Sequence, residues 1–117
     1  SIVRGTTSRR IVQLLKEAGA REVHVRIASP AITHPCFYGV DTSSFEELIS
    51  ARLNSEELCR FLKADSLQFM EIEDLIASYH SDALCVACFN GQYATSLFSY
   101  GDIIRTYRFK QKKDSSK

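Results

Sequence analysis

SIVRGTTSRRIVQLLKEAGAREVHV, residues 1 to 25, decides how the rest of this 117-residue chain is read. From Ser8 onward, Ile11, Leu14, Leu15 and Ala18 recur at the spacing of one helix face. Gly19 stands where a left-handed cap would end that helix. Val23, Val25 and Ile27 then alternate with His24 and Arg26, and Ser29-Pro30 closes the run, which is the pattern of a strand. A glycine turn, a helix and a strand make the latter part of a βαβ unit, so the expected fold class is α/β. Gly5 opens the unit. It lets the backbone approach an anion closely, while the amide hydrogens of Thr6, Thr7 and Ser8 and the helix N-terminus point at that anion. Three hydroxyls add donors. The plainer reading is that Thr7 or Ser8 caps the helix. The glycine-lysine signature of a nucleotide P-loop is absent.

Composition sets the frame. Apolar residues make up 44% of the chain and charged residues 25%, ordinary for a soluble globular protein of one domain. No stretch approaches the roughly 18 apolar residues of a membrane span, and the start lacks a signal-peptide pattern, so a soluble cytoplasmic protein with no membrane partner is expected. The net charge of +1 hides an asymmetry. Residues 105 to 117 hold six Lys or Arg against one Asp, whereas residues 1 to 104 hold nine basic and thirteen acidic residues. The tail reads as a solvated terminus. With two interspersed aromatics it is a poor nucleic-acid module, so nucleic acid is not the expected partner.

Residues 31 to 42, AITHPCFYGVDT, show no periodicity. Ser43-Ser44 before Glu46-Glu47 and Leu48, Ile49 and Leu53 predict a capped helix, and Asn54 facing Glu57 predicts a second one bearing Leu58, Phe61 and Leu62. SLQFM reads as a brief strand, residues 72 to 80 as a helix grouping Ile72, Leu75, Ile76 and Tyr79, and CVACFNGQY as a compact turn sharpest at Asn90-Gly91. The chain divides into 1–30, 31–104 and the tail 105–117.

Four cysteines are present: Cys36, Cys59, Cys85 and Cys88. The pair Cys85-x-x-Cys88 suits zinc, an iron–sulfur cluster or thiol exchange equally. Cys59, between Leu58 and Leu62, reads as a small buried hydrophobe rather than a fourth ligand. His24, His34, His80 and Asp41 earn no catalytic assignment, and no residue of this chain is expected to be catalytic.

SIVRGTTS resembles the back half of the phosphoribosyl diphosphate signature of type I phosphoribosyltransferases. Together with HPCFYGVDT and CVACFNGQY, it is similar to the C-terminal part of the glutamine amidophosphoribosyltransferase family. The resemblance implies a partial type I phosphoribosyltransferase fold with a mainly helical C-terminal extension, the first stretch being a remnant of the transferase core. It gives Thr6, Thr7 and Ser8 the donor role toward the 5′-phosphate, Gly5 the turn, and Arg4 an accessory part. It further implies that Cys36, Cys85 and Cys88 are three of four ligands of a 4Fe–4S cluster found in one subgroup. The acidic pair that binds the ribose hydroxyls and helps hold Mg²⁺ would lie upstream, as would the glutaminase domain.

The function implied for the parent is formation of 5-phosphoribosylamine from phosphoribosyl diphosphate and glutamine-derived ammonia in purine synthesis. Phosphoribosyl diphosphate, glutamine and the upstream part of the same protein would be its partners. The 117 residues alone are expected to carry out neither half-reaction, and unpartnered apolar faces point to a homo-oligomer or a companion segment. The competing expectation is a small phosphate- or metal-binding protein retained after loss of the enzyme.

Overall fold

The computed structural model describes residues 1–42, 44–81 and 83–95; the basic tail lies outside the described residues. Helix α1 spans Thr6–Glu17, two residues earlier than Ser8. Its N-cap is Gly5, at φ 78°, with no side-chain capping bond, and the Arg9 N–H donates to the Gly5 carbonyl at 2.9 Å. Neither Thr7 nor Ser8 caps the helix, because a left-handed glycine makes the turn one residue before Thr6. The C-terminus is as expected. Gly19 N–H bonds Lys16 O and Ala20 N–H bonds Leu15 O, both at 3.0 Å, a complete Schellman motif with Gly19 at φ 100°.

The apolar stripe of α1 is not where the chain's core lies. Val12 is 2% exposed, while Ile11, Leu14 and Leu15 are about half exposed. Helix α1 packs on α3 (Ser55–Leu62), with the Arg9 guanidinium stacked 4.9 Å from the Phe61 ring centroid, and this contact turns the Ile11 stripe outward.

Strand β1 (His24–Ile27) pairs in parallel with β2 (Ser66–Phe69), His24 opposite Ser66 and Ile27 opposite Phe69. Parallel strands need a long crossover. Here residues 28 to 65 supply it, so the pairing joins the first expected stretch to the second. His24, Arg26 and Gln68 are exposed, while Ile27, Leu67 and Phe69 pack on a core of Ile2, Ile49, Leu58 and Leu62. Each such leucine withdrawn from water contributes about 1.5–3 kcal/mol before entropy is counted. The Asp65 carboxylate accepts the Val23 N–H at 2.7 Å and pairs with Lys16 at 3.1 Å, tying the end of α1 to the starts of both strands.

The helix predicted after Ser43-Ser44 is broken. A 3₁₀ turn at Phe45–Glu47 is followed by Leu48 in extended conformation and then by the single-turn α2, Ile49–Arg52; Ser44 makes no capping bond. Leu48 and Ile49 are both buried, which adjacent residues of a continuous helix, about 100° apart, achieve poorly. The Ile49 N–H donates instead to Val3 O at 2.8 Å. Helix α3 carries the predicted box: Glu57 N–H to Asn54 Oδ1 and Asn54 N–H to Glu57 Oε2, each 2.9 Å. Helix α4 (Ile72–Tyr79) half-buries Ile72, Leu75 and Ile76, but Tyr79 is exposed because the chain leaves the helix at His80, at φ 52°. The CVACFNGQY turn contains one helical turn, α5 (Ala87–Asn90), ended by left-handed Gly91.

Candidate functional site

Residues Ser1 to Ser8 wall an open cleft of about 340 Å³. Its floor is the first turn of α1, whose leading N–H groups have no acceptor within the helix. That turn has no acidic residue, so the positive end of the helix dipole is not neutralised locally. Thr6 and Thr7 are exposed and Ser8 partly so. Gly5 is buried. A Cβ there would lie 3.0 Å from Ile49 Cδ1 and 3.1 Å from Phe61 Cε1, so α2 and α3 press directly on the turn. Arg4 lines the same cleft, but its guanidinium pairs with Glu47 at 3.1 Å. Glu47, Ile49 and Phe61 were not singled out from the sequence as parts of this site; their signal is purely spatial.

The second group lies around α5. Thr33 and His34 N–H both donate to Cys88 O at 3.0 Å, and Thr33 Oγ1 donates to Phe89 O at 3.0 Å. These bonds bring the segment bearing Cys36 against the segment bearing Cys85 and Cys88. Cys36 N–H donates to Thr42 O at 2.9 Å, Tyr38 N–H reaches Cys36 Sγ at 3.4 Å, and Tyr93 OH donates to Pro35 O at 2.7 Å. Burial raises the Cys88 thiol pKa, and the nearby Cys36 and then Cys85 raise it further. Among the described residues, however, no group of three or more His, Cys, Asp or Glu side chains stands in metal-ligating geometry. Cys59 is apart from them: it sits on α3 and its thiol donates to Ala64 O at 3.3 Å.

His24 bonds Ser66 Oγ and Glu22 on the exposed sheet face, far from either group in character. His34 packs edge-on to Phe45, and burial lowers its pKa. Among the described residues no helix is long and apolar enough to cross a membrane.

A left-handed glycine presenting hydroxyls at the head of a helix in a parallel α/β unit is the architecture of part of a type I phosphoribosyltransferase. No family model matches the chain. Among characterised proteins, amidophosphoribosyltransferase of Bacillus subtilis is 53% identical over 104 residues, 84% of this chain and 22% of that protein. The chloroplastic amidophosphoribosyltransferase of Glycine max is 58% identical over 95 residues, covering 80% of this chain and 17% of the relative. The solved structure of B. subtilis glutamine phosphoribosylpyrophosphate amidotransferase, complexed with ADP and GMP, superposes with a TM-score of 0.77 at 51% identity, over 86% of this chain and 23% of that one. The chain is thus homologous to the C-terminal portion of amidophosphoribosyltransferase, and it spans about a fifth of the length of the relatives it matches.

Proposed function

We propose that these residues supply the 5′-phosphate anchor of an amidophosphoribosyltransferase, in which ammonia from glutamine displaces pyrophosphate from phosphoribosyl diphosphate to give 5-phosphoribosylamine. The observation that carries the reading is the Gly5 turn, built without a side-chain cap, on a chain more than half identical to that enzyme. Backbone N–H groups at Thr6 to Ser8 and their hydroxyls would hold the phosphate dianion, and α1 would add its dipole. The anchor fixes the ribose so that its anomeric carbon faces the nucleophile, and such positioning supplies much of the rate in group transfer. The acidic pair, its share of Mg²⁺ and the glutaminase nucleophile belong to the parent's other residues. Like phosphoribosyl diphosphate, the AMP and GMP family of nucleotides carries a 5′-phosphate, so the same cradle suits a purine nucleotide of the kind bound in the B. subtilis structure.

Cys36, Cys85 and Cys88 carry the soft thiolate donors that a 4Fe–4S cluster takes, four in all, without standing in ligating geometry here, and the Tyr38 N–H on Cys36 sulfur is the kind of bond that tunes such a site. When bound, the cluster would clamp the segment 33–42 to α5. Cys36, Cys85 and Cys88 must first lose their protons, and Cys88 is the reluctant one. The outward stripe Ile11, Leu14 and Leu15 is the surface that the rest of the transferase core or a second protomer would cover, in a cytoplasmic oligomer.

Steady-state kinetics with phosphoribosyl diphosphate on the full-length natural protein test the anchor. Thr7→Ala is expected to raise KM for phosphoribosyl diphosphate while leaving glutamine hydrolysis intact. An unchanged KM rejects the assignment. The isolated 117 residues are expected to form no phosphoribosylamine.

A further inference from the structure

We infer that Glu47 is a positioning residue that acts as an internal competitor for Arg4, so that the phosphate cleft must win this arginine from a neighbouring carboxylate before the guanidinium can bind an anion there. The inference rests on the phosphate-anchor reading above. Arg4 lines two adjacent clefts. One is walled by Ser1 to Ser8, and the other, of about 560 Å³, is lined by Thr6, Glu47, Ile49, Arg52 and Phe61 among others. In the structure its guanidinium is committed to the second, 3.1 Å from Glu47 Oε2.

The backbone on either side of Arg4 is anchored. Val3 O is held by the Ile49 N–H at 2.8 Å, and Gly5 is pressed against Ile49 and Phe61. The Arg4 side chain, by contrast, is 59% exposed. Glu47 ends the Phe45–Glu47 turn and is followed by Leu48, which is 0% exposed and holds the backbone from which the carboxylate extends. A less exposed carboxylate, 36% against 59%, therefore faces a more exposed guanidinium, each on an anchored stretch of backbone. An arginine prefers a bidentate dianion to a single carboxylate contact. When phosphate arrives, Arg4 has a reason to leave Glu47, and the freed carboxylate then faces Thr6 across the second cleft. With no anion present, Glu47 neutralises Arg4, and the cleft has a weaker pull on singly charged anions.

The test uses the full-length natural protein, inorganic phosphate titrated calorimetrically at low salt, and KM for phosphoribosyl diphosphate alongside kcat. Glu47→Gln is expected to tighten phosphate by up to about fivefold, the most an exposed ion pair ordinarily contributes, and to lower KM with kcat unchanged. Glu47→Asp, which keeps the charge but is one methylene shorter, is expected to give a gain between those of the parent and Glu47→Gln. In an Arg4→Gln background, Glu47→Gln is expected to give no further gain. Equal gains in both backgrounds would mean that Glu47 acts by general repulsion and would overturn the competition. A weaker affinity in Glu47→Gln would overturn it in the opposite sense, making the pair a fixed strut. If phosphate binding ignores Arg4 and Thr7 alike, the anchor reading fails and the inference with it; if it depends on Thr7 but not on Glu47, only the inference fails.

Discussion

Gly91 and His34 approach more closely than any side chain at position 91 would permit: a Cβ there would lie 2.7 Å from His34 Nε2. This contact seats α5 against the segment that leads into Cys36. Gly91→Ala must push the imidazole aside as well as hold φ near 74°. Gly19, at φ 100°, has open space around the same imaginary atom and serves as the control. Alanine at Gly19 is expected to cost about 1–2 kcal/mol from backbone strain alone. Gly91→Ala should cost a further 1–3 kcal/mol or so from overpacking, read from urea midpoints. Equal costs would show that the His34 contact is slack.

Gly5→Ala combines both penalties at the other site. Strain at φ 78° together with contacts of 3.0 and 3.1 Å is expected to destabilise the fold by about 1–3 kcal/mol or more and to weaken phosphate binding beyond what the stability loss explains. Thermal melts with and without phosphate separate the two. A variant that melts early yet keeps its ligand shift would show that the turn's exact path is not needed for the anion.

Cysteine reactivity should rank by exposure and thiol pKa. Cys85 is exposed, whereas Cys88 is partly buried and its thiol is shifted upward by burial and by Cys36 and Cys85. Only the thiolate is alkylated. At about pH 8, iodoacetamide mapped by peptide mass should label Cys85 well before Cys88, with Cys88 catching up only as the pH rises. Simultaneous labelling at neutral pH would contradict the assigned environment.

Asp65 sets an acid limit. The Val23 N–H bond first, and then Lys16, holds its carboxyl below the usual carboxylate range. Its folded pKa is lowered, so its contribution is complete above the unfolded value and is lost as pH falls through the folded one. Melts below about pH 4 should steepen for the parent and flatten for Asp65→Asn, with little difference in slope near neutrality. A parallel acid slope in the variant would shift the cause elsewhere.

The parts of this fold that could be read from the chain are those governed by local rules. Gly19 ends α1 because a left-handed residue is needed there, and Asn54 with Glu57 starts α3 because the two bonds close within four residues. What escaped reading depends on distant partners. Gly5 replaced a polar cap because α2 and α3 press on it. The predicted helix at residue 43 broke because Leu48 and Ile49 both needed burial against Ile2 and its neighbours. The Ile11 stripe has helical period whichever side the core lies on, so periodicity named the helix and its apolar face but not whether this chain covers that face. The candidate sites divide in the same way. The loop from Gly5 to Ser8 and the three cysteines were legible as motifs, whereas Glu47 became visible only through its contact with Arg4.

The pairing of β1 with β2 also dictates a schedule. His24 and Ser66 meet across 42 residues, so β1 leaves the ribosome roughly 2–8 s before its partner is made. During that interval β1 waits for β2, while the Asn54–Glu57 capping box of α3, which closes within four residues, is made before β2 emerges. Closing so long a loop is slow compared with making a helix. A weakened α3, which packs on β2, should therefore delay the docking of β2 and prolong the time that β1 waits for it.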